Sequence, residues 1–152
     1  MAGATDGHIR WWNKTDSGEF QQAAFITAHS DVVSGIATST DGRLLATVSL
    51  DGAMRLWDAS SGSEAFTTEI LDGRPRALTW SPDGRWLASP LKGHDGSGSL
   101  VLWDGTTGKL LARLTGHAKA AKSIAFSPDG QWCATGAEGL AAFHAADFAF
   151  VI

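Results

Sequence analysis

The chain has 152 residues, 43% of them hydrophobic and 18% charged, with 18 glycines, seven tryptophans and no tyrosine; this is enough apolar mass for a core and enough glycine for many tight turns between short elements. A formal charge of −4, with no basic stripe beyond a Lys119 and Lys122 cluster that reads as a solvated edge, argues against nucleic acid. One cysteine excludes an internal disulfide, no apolar run has membrane-spanning length, and no signal peptide is evident, so a cytoplasmic setting is favoured and the Asn13-Lys14-Thr15 sequon is read as chance.

In chain order, Ala2 to Thr5 matches the end of a strand, followed by Asp6-Gly7 and Trp12-Asn13. The next unit is fuller and reads as four short strands, a to d. Val32 to Ser39 is strand a, with Val33, Gly35 and Ala37 on one face; Leu44 to Ser49 is b, Ala53 to Asp58 is c and Ala65 to Ile70 is d. Thr40-Asp41-Gly42 turns a into b, and Ser61-Gly62 ends the turn from c to d. Alternating residues between turn signals predict an all-β fold. A third unit carries Ser81-Pro82-Asp83-Gly84, Trp103-Asp104 and Thr107-Gly108, and a fourth carries Gly116-His117 and Ser127-Pro128-Asp129-Gly130. In these turns Pro presets φ, Asp bonds its own backbone and Gly accepts positive φ. The Ala-rich segment from Leu140 to Ala146 is ambiguous, because Ala favours helix, and is read as a strand.

The units are in register. Asp41, Asp83 and Asp129 follow one another at 42 and 46 residues. Asp6-Gly7, Asp51-Gly52, Ser97-Gly98 and Glu138-Gly139 form a second column, and five residues after each glycine come Trp12, Trp57, Trp103 and His144. Such a period marks a repeat architecture.

His29, Thr40-Asp41-Gly42, Asp51-Gly52 and Trp57-Asp58 together resemble one whole WD40 repeat, and the other units resemble less complete copies. The resemblance implies β-propeller blades of four antiparallel strands, with 1–27 a partial blade, 28–70 and 71–114 blades, and 115–152 a degenerate blade. At about 45 residues per blade this falls short of the usual 4–8. The expected molecule is an incomplete, open propeller: part of a longer one with further blades outside this chain, or a half that closes by self-association.

The resemblance also implies a hydrogen-bonded structural tetrad of His29, Thr47, Asp51 and Trp57, with Ser49 the second choice for the hydroxyl. Partial tetrads keep Ser89 and Trp103, with Leu71 and Ser97 replacing His and Asp, and then His117 and Thr135, with Glu138 and His144 replacing Asp and Trp. Drawn alone, His29, Asp51 and a hydroxyl would make a hydrolase triad, but parts of the set recur at the repeat spacing and no G-x-S-x-G elbow is present, so no enzyme is expected. Cys133 aligns with Leu45 and Leu87 and reads as a buried apolar residue. Trp86 and Trp132 align with Leu44 and read as packing between blades. The histidines are too widely spread for zinc, and no metal or cofactor is expected.

The function this implies is a protein-interaction scaffold that docks peptides or protein partners on the face carrying the d–a and b–c loops, with no nucleic acid and no membrane. The alternatives are a regulatory or substrate-gating propeller attached to an enzyme domain outside this chain, or a truncated remnant. From Thr47 to Trp57 is 10 residues but from Ser89 to Trp103 is 14, which places a polar, Gly-rich excursion at Pro90 to Gly98. It is either a tolerated surface insertion or a partner loop whose contacts are Lys92, His94 and Asp95, with Asp31, Arg74, Arg76 and Lys119 beside the entries to strands a.

Overall fold

Every repeated turn in the sequence folds one short strand back on the last, so the strands pair in chain order. The computed structural model describes residues 2–3, 6–69, 73–137 and 140–145. Among them there is no helix; four antiparallel sheets follow one another. The first holds β1 (Ala2–Gly3), β2 (His8–Lys14) and β3 (Phe20–Thr27). The second holds β4 (Val33–Thr38), β5 (Leu44–Ser49), β6 (Ala53–Asp58) and β7 (Glu64–Glu69). In the third, β8 (Arg74–Pro75) and β9 (Thr79–Trp80) are two halves of one edge strand beside β10 (Trp86–Lys92), β11 (Gly98–Asp104) and β12 (Leu110–His117). The fourth holds β13 (Ala121–Phe126), β14 (Trp132–Ala137) and β15 (Leu140–Ala145). The Ala-rich end is thus a strand: pairing with β14 along its whole length overrides the helical preference of alanine.

The a–b turns share one network. Ser39, Ser81 and Ser127 each donate a hydroxyl to Asp41, Asp83 and Asp129, and each hydroxyl oxygen accepts the backbone N–H five residues on, at 2.9 Å in all three turns. Gly42, Gly84 and Gly130 supply the left-handed residue, at φ 72°, 73° and 69°. The aspartates after Trp57 and Trp103 close the c–d turns of their sheets. Asp58 accepts from the backbone and hydroxyls of Ser60 and Ser61, which draw its carboxyl down to about 2. Asp104 likewise accepts from the backbone N–H groups of Thr106 and Thr107 and from the Thr107 hydroxyl.

Strand alternation sends neighbouring residues to opposite faces, so each sheet can be covered on both sides. Ile9 and Trp11 of the first sheet pack with Leu45 and Trp57 of the second. The other face of the second sheet, with Val48, Met54 and Leu56, packs on Leu87, Leu91 and Trp103 of the third. Ala88, Leu100 and Leu102 of the third then meet Cys133 of the fourth. Three apolar layers therefore glue four thin sheets. Among the described residues no core cluster joins the fourth sheet to the first, so the stack is open.

Trp12, Trp57 and Trp103 occupy equivalent places, each directly after a register shift between the last two strands of its sheet. Trp57 and Trp103 are buried, whereas Trp12 is 41% exposed. In the first sheet β1 pairs only with Ile9 and Arg10, so nothing described pairs with Trp12 from that side. Trp132 corrects the expectation of packing between blades. It is 53% exposed, because Cys133 and Thr135 turn toward the third sheet and Trp132 turns the other way, where no described sheet follows.

The excursion between Ser89 and Trp103 also differs from expectation. Pro90 to Lys92 continue the strand, and Leu91 is fully buried, so most of the added residues lengthen a hairpin and the turn itself is 93–97. The edge strand opposite breaks into β8 and β9 beside Pro90, which has no N–H to offer a ladder; its carbonyl still accepts from the Arg76 N–H at 3.1 Å.

Candidate functional site

A chain of hydrogen bonds crosses the second sheet. The Trp57 indole N–H donates to Thr47 Oγ1 at 3.0 Å, and Thr47 Oγ1 lies 2.8 Å from His29 Nε2. His29 Nδ1 lies 3.0 Å from the Asp51 carboxylate. One proton arrangement satisfies every link: the hydroxyl donates to Nε2, and Nδ1–H donates to the carboxylate. Burial lowers the His29 pKa below its usual value, with Asp51 only partly opposing, so the imidazole is neutral as this arrangement requires. Burial opposes ionisation of Asp51, but the N–H groups of Ala53 and Ser30, together with His29, outweigh it and hold the carboxyl below its usual value. Ser49 takes another part: its hydroxyl donates to the Asp31 carbonyl and accepts from the Asp51 N–H. Glycine at position 7 is required here, since Gly7 has φ 76°, its carbonyl accepts from the His29 N–H at 2.9 Å, and a Cβ would sit 2.0 Å from the His29 carbonyl oxygen.

The His29–Asp51–hydroxyl line has the connectivity of a hydrolase triad but not its access. Thr47 is fully buried, His29 is 3% exposed, and the hydroxyl oxygen already accepts the indole hydrogen. No substrate carbonyl can reach it.

The other units form less of this chain. His117 Nε2 meets Thr135 Oγ1 at 2.6 Å, while His117 Nδ1 has no partner among the described residues. Cys133 lies across from His144, as Leu45 lies across from Trp57 and Leu87 from Trp103. Cys133 is buried, which pushes its thiol up to about 11 and makes it inert. Leu71 and Glu138 lie outside the described residues. In the third sheet the expected Ser89–Trp103 contact is not made. Without a histidine to receive its hydrogen, the Ser89 hydroxyl donates to the Pro90 carbonyl at 3.2 Å, and the buried Trp103 N–H has no partner.

This contrast yields a paired test. Trp57→Phe removes a hydrogen bond and orphans part of the Thr47 hydroxyl, whereas Trp103→Phe removes an N–H that bonds to nothing. Both lose a ring of similar burial. Trp57→Phe is expected to be the more destabilising by about 1 kcal/mol in urea unfolding; equal losses would contradict the network.

Two cavities lie at opposite ends of the strands. At the end carrying the a–b and c–d turns, Trp11, Trp12, Leu45, Arg43, Asp58 and their neighbours line about 660 Å³ between the first and second sheets. At the end carrying the d–a and b–c loops, Arg76, Lys92, Gly96, Lys119, Ala120 and Lys122 line about 510 Å³ between the third and fourth. The structure thus brings together Arg76, Lys92 and Lys119 from the sequence-level partner set, and adds Lys122 from the pair read as a solvated edge. Arg74 is exposed and pairs with Lys92 across the strands. His94 and Asp95 are exposed in the hairpin turn but do not line the cavity; Asp95 instead accepts from the Ser97 backbone and hydroxyl. Asp31 stands apart on the second sheet, its carboxylate accepting from the Val32 N–H. Among the described residues no group of three or more His, Cys, Asp or Glu side chains could hold a metal.

Comparison with known proteins matches the model of the family described as "WD domain, G-beta repeat" to residues 20–58, 68–104 and 108–141. One of the subunits of mouse chromatin assembly factor 1 is 26% identical over 106 residues, covering 58% of this chain and 18% of the relative. Protein hir1 of Schizosaccharomyces pombe is 34% identical over 91 residues, covering 56% and 9%. The small ribosomal subunit protein RACK1 of Candida albicans is 32% identical over 74 residues, covering 49% and 23%. The chain spans less than a quarter of the length of each of these relatives.

Proposed function

The chain belongs to the WD40-repeat family, and on that premise we propose that it holds protein partners on the end of its sheets that carries the d–a and b–c loops. One observation carries this reading. Charged side chains from three separate loops and strands converge there on one cavity, fixed in place by buried sheets, while the His29 triad is closed to substrate. Loops held by a rigid scaffold of strands are where binding residues concentrate. The names of two relatives, one from a chromatin assembly factor and one a small ribosomal subunit protein, support a part in assemblies.

The test compares the two ends. A variant carrying Asp31→Arg and His94→Glu alters exposed loop-end positions outside the cavity; one carrying Arg43→Glu and Lys109→Glu alters the turn end. Both are expected to melt within about 2 °C of the parent, since exposed substitutions cost within about 0.5 kcal/mol. In quantitative cross-linking from cell extract, the loop-end variant is expected to lose at least five-fold of the captured proteins and the turn-end variant none. The reverse pattern would move the docking surface to the other end, and loss by neither would refute the reading.

A further inference from the structure

The loop-end cavity has a charge opposite to that of the molecule around it. The chain carries −4, yet all four ionisable residues lining this cavity are cations: Arg76, Lys92, Lys119 and Lys122. They arrive from different parts of the chain. Arg76 follows β8, Lys92 ends β10, Lys119 precedes β13 and Lys122 lies within it. Among the described residues no ion pair joins Arg76, Lys92 or Lys119 to a carboxylate. Asp95 lies in the hairpin turn that ends beside Gly96, and its oxygen is taken by the Ser97 N–H and hydroxyl. Holding the like charges of Arg76, Lys92 and Lys119 around one cavity raises its positive potential, since each repels the others and a low-dielectric wall focuses the field.

The small lining residues bear on what kind of anion fits. Gly96 and Ala120 stand among the cations in the lining. At Gly98 a Cβ would lie 2.3 Å from the Lys119 carbonyl oxygen, so the β10–β11 hairpin and the β13 entry approach as closely as backbones can. The lining holds no aromatic ring, and single-stranded nucleic acid is bound by stacking bases on such rings. It holds no large apolar side chain to enter a bilayer.

We propose that this cavity binds an acidic peptide segment of a partner protein, with Arg76 forking onto one carboxylate or phosphate and Lys92 and Lys119 neutralising its neighbours. The proposal rests on the docking reading above and names the chemistry of what docks. The fork suits Arg76, because a planar guanidinium pairs bidentately with either anion, whereas the lysines act as point charges.

Fluorescence anisotropy of the full chain with two labelled probes tests it: a peptide of six consecutive glutamates, and a peptide of three phosphoserines spaced by glycine. Saturable binding of at least one is expected, weakened about ten-fold between 50 and 200 mM salt as the field is screened. Tighter binding of the glutamate probe assigns the site to carboxylates; tighter binding of the other assigns it to phosphate. Arg76→Ser with Lys119→Ser should weaken binding at least ten-fold at an unchanged melting temperature, and Lys14→Ser, which removes an exposed cation of the first sheet, should not. Binding of neither probe, equal weakening by Lys14→Ser, or displacement by oligothymidylate at lower concentration than by either peptide would overturn the proposal. If the acidic probes fail while the loop-end variant still loses its captured proteins, the ligand chemistry falls and the docking face stands; if both fail, both fall.

Discussion

Replacing His29 with alanine is expected to cost about 3 kcal/mol of folding free energy. The substitution takes the hydrogen-bond partner from the Thr47 hydroxyl and from the Asp51 carboxylate together, and each buried group left unpaired costs about 1–3 kcal/mol. For about 150 residues this lowers the melting temperature by roughly 6–12 °C. The loss depends on pH in a defined direction. The His29 pKa in the fold lies below the 6.5 of an exposed histidine. Above about pH 6.5 the ring is neutral in both folded and unfolded chains, and its contribution is complete. As pH falls below that value the unfolded chain takes up the proton first, and the contribution is lost as pH drops through the folded pKa. The parent should therefore lose urea stability from pH 7.5 to 5.5 faster than the His29→Ala variant, and the gap between them should narrow. A gap that widens on acidification, or a variant as stable as the parent, would show that the tetrad does not tie this sheet together.

Much of this architecture was legible because the turns are written in residues with little freedom of choice. A left-handed turn position needs glycine and a side chain that bonds its own backbone needs aspartate, so the Asp-Gly columns stay visible where other positions drift. The tryptophan column has a geometric cause as well, a register shift before each ring in three sheets. What escaped was what depends on neighbouring sheets. Trp132 has the same sequence position as Leu44, yet whether such a residue is covered depends on a further sheet beside it. The excursion after Ser89 is polar and Gly-rich in composition, but Pro90 and Leu91 sit in a strand because Leu91 finds a core to enter. Lys122 joins Arg76 and Lys92 only when the third and fourth sheets stack, a relation that separation in sequence conceals. Ser89 and Trp103 hold the right places for a hydrogen bond and fail to make one, since the hydroxyl follows an acceptor that only the folded sheet supplies.

Leu56→Ala tests the stacking itself. Leu56 is 1% exposed within the layer between the second and third sheets, where it packs with Met54, Leu78, Leu87 and Trp103. Truncating a buried leucine costs about 2–5 kcal/mol through lost burial and a residual cavity, a large part of the 5–15 kcal/mol that holds an ordinary domain. The position adds a second consequence. In stacked repeats each unit is stabilised through its interfaces with its neighbours, so weakening one interface loosens the coupling between the parts on either side. Unfolding of Leu56→Ala should therefore spread into two transitions, one for the first and second sheets and one for the third and fourth, seen as separate midpoints in tryptophan fluorescence and circular dichroism. Hydrogen exchange should locate the boundary at residues 69–73. Leu100→Ala, in the next layer, should move that boundary to 117–121. A single transition at the parent's midpoint in both variants would mean that the sheets do not depend on one another, contrary to the stacking on which both the proposed docking surface and the cationic cavity are built.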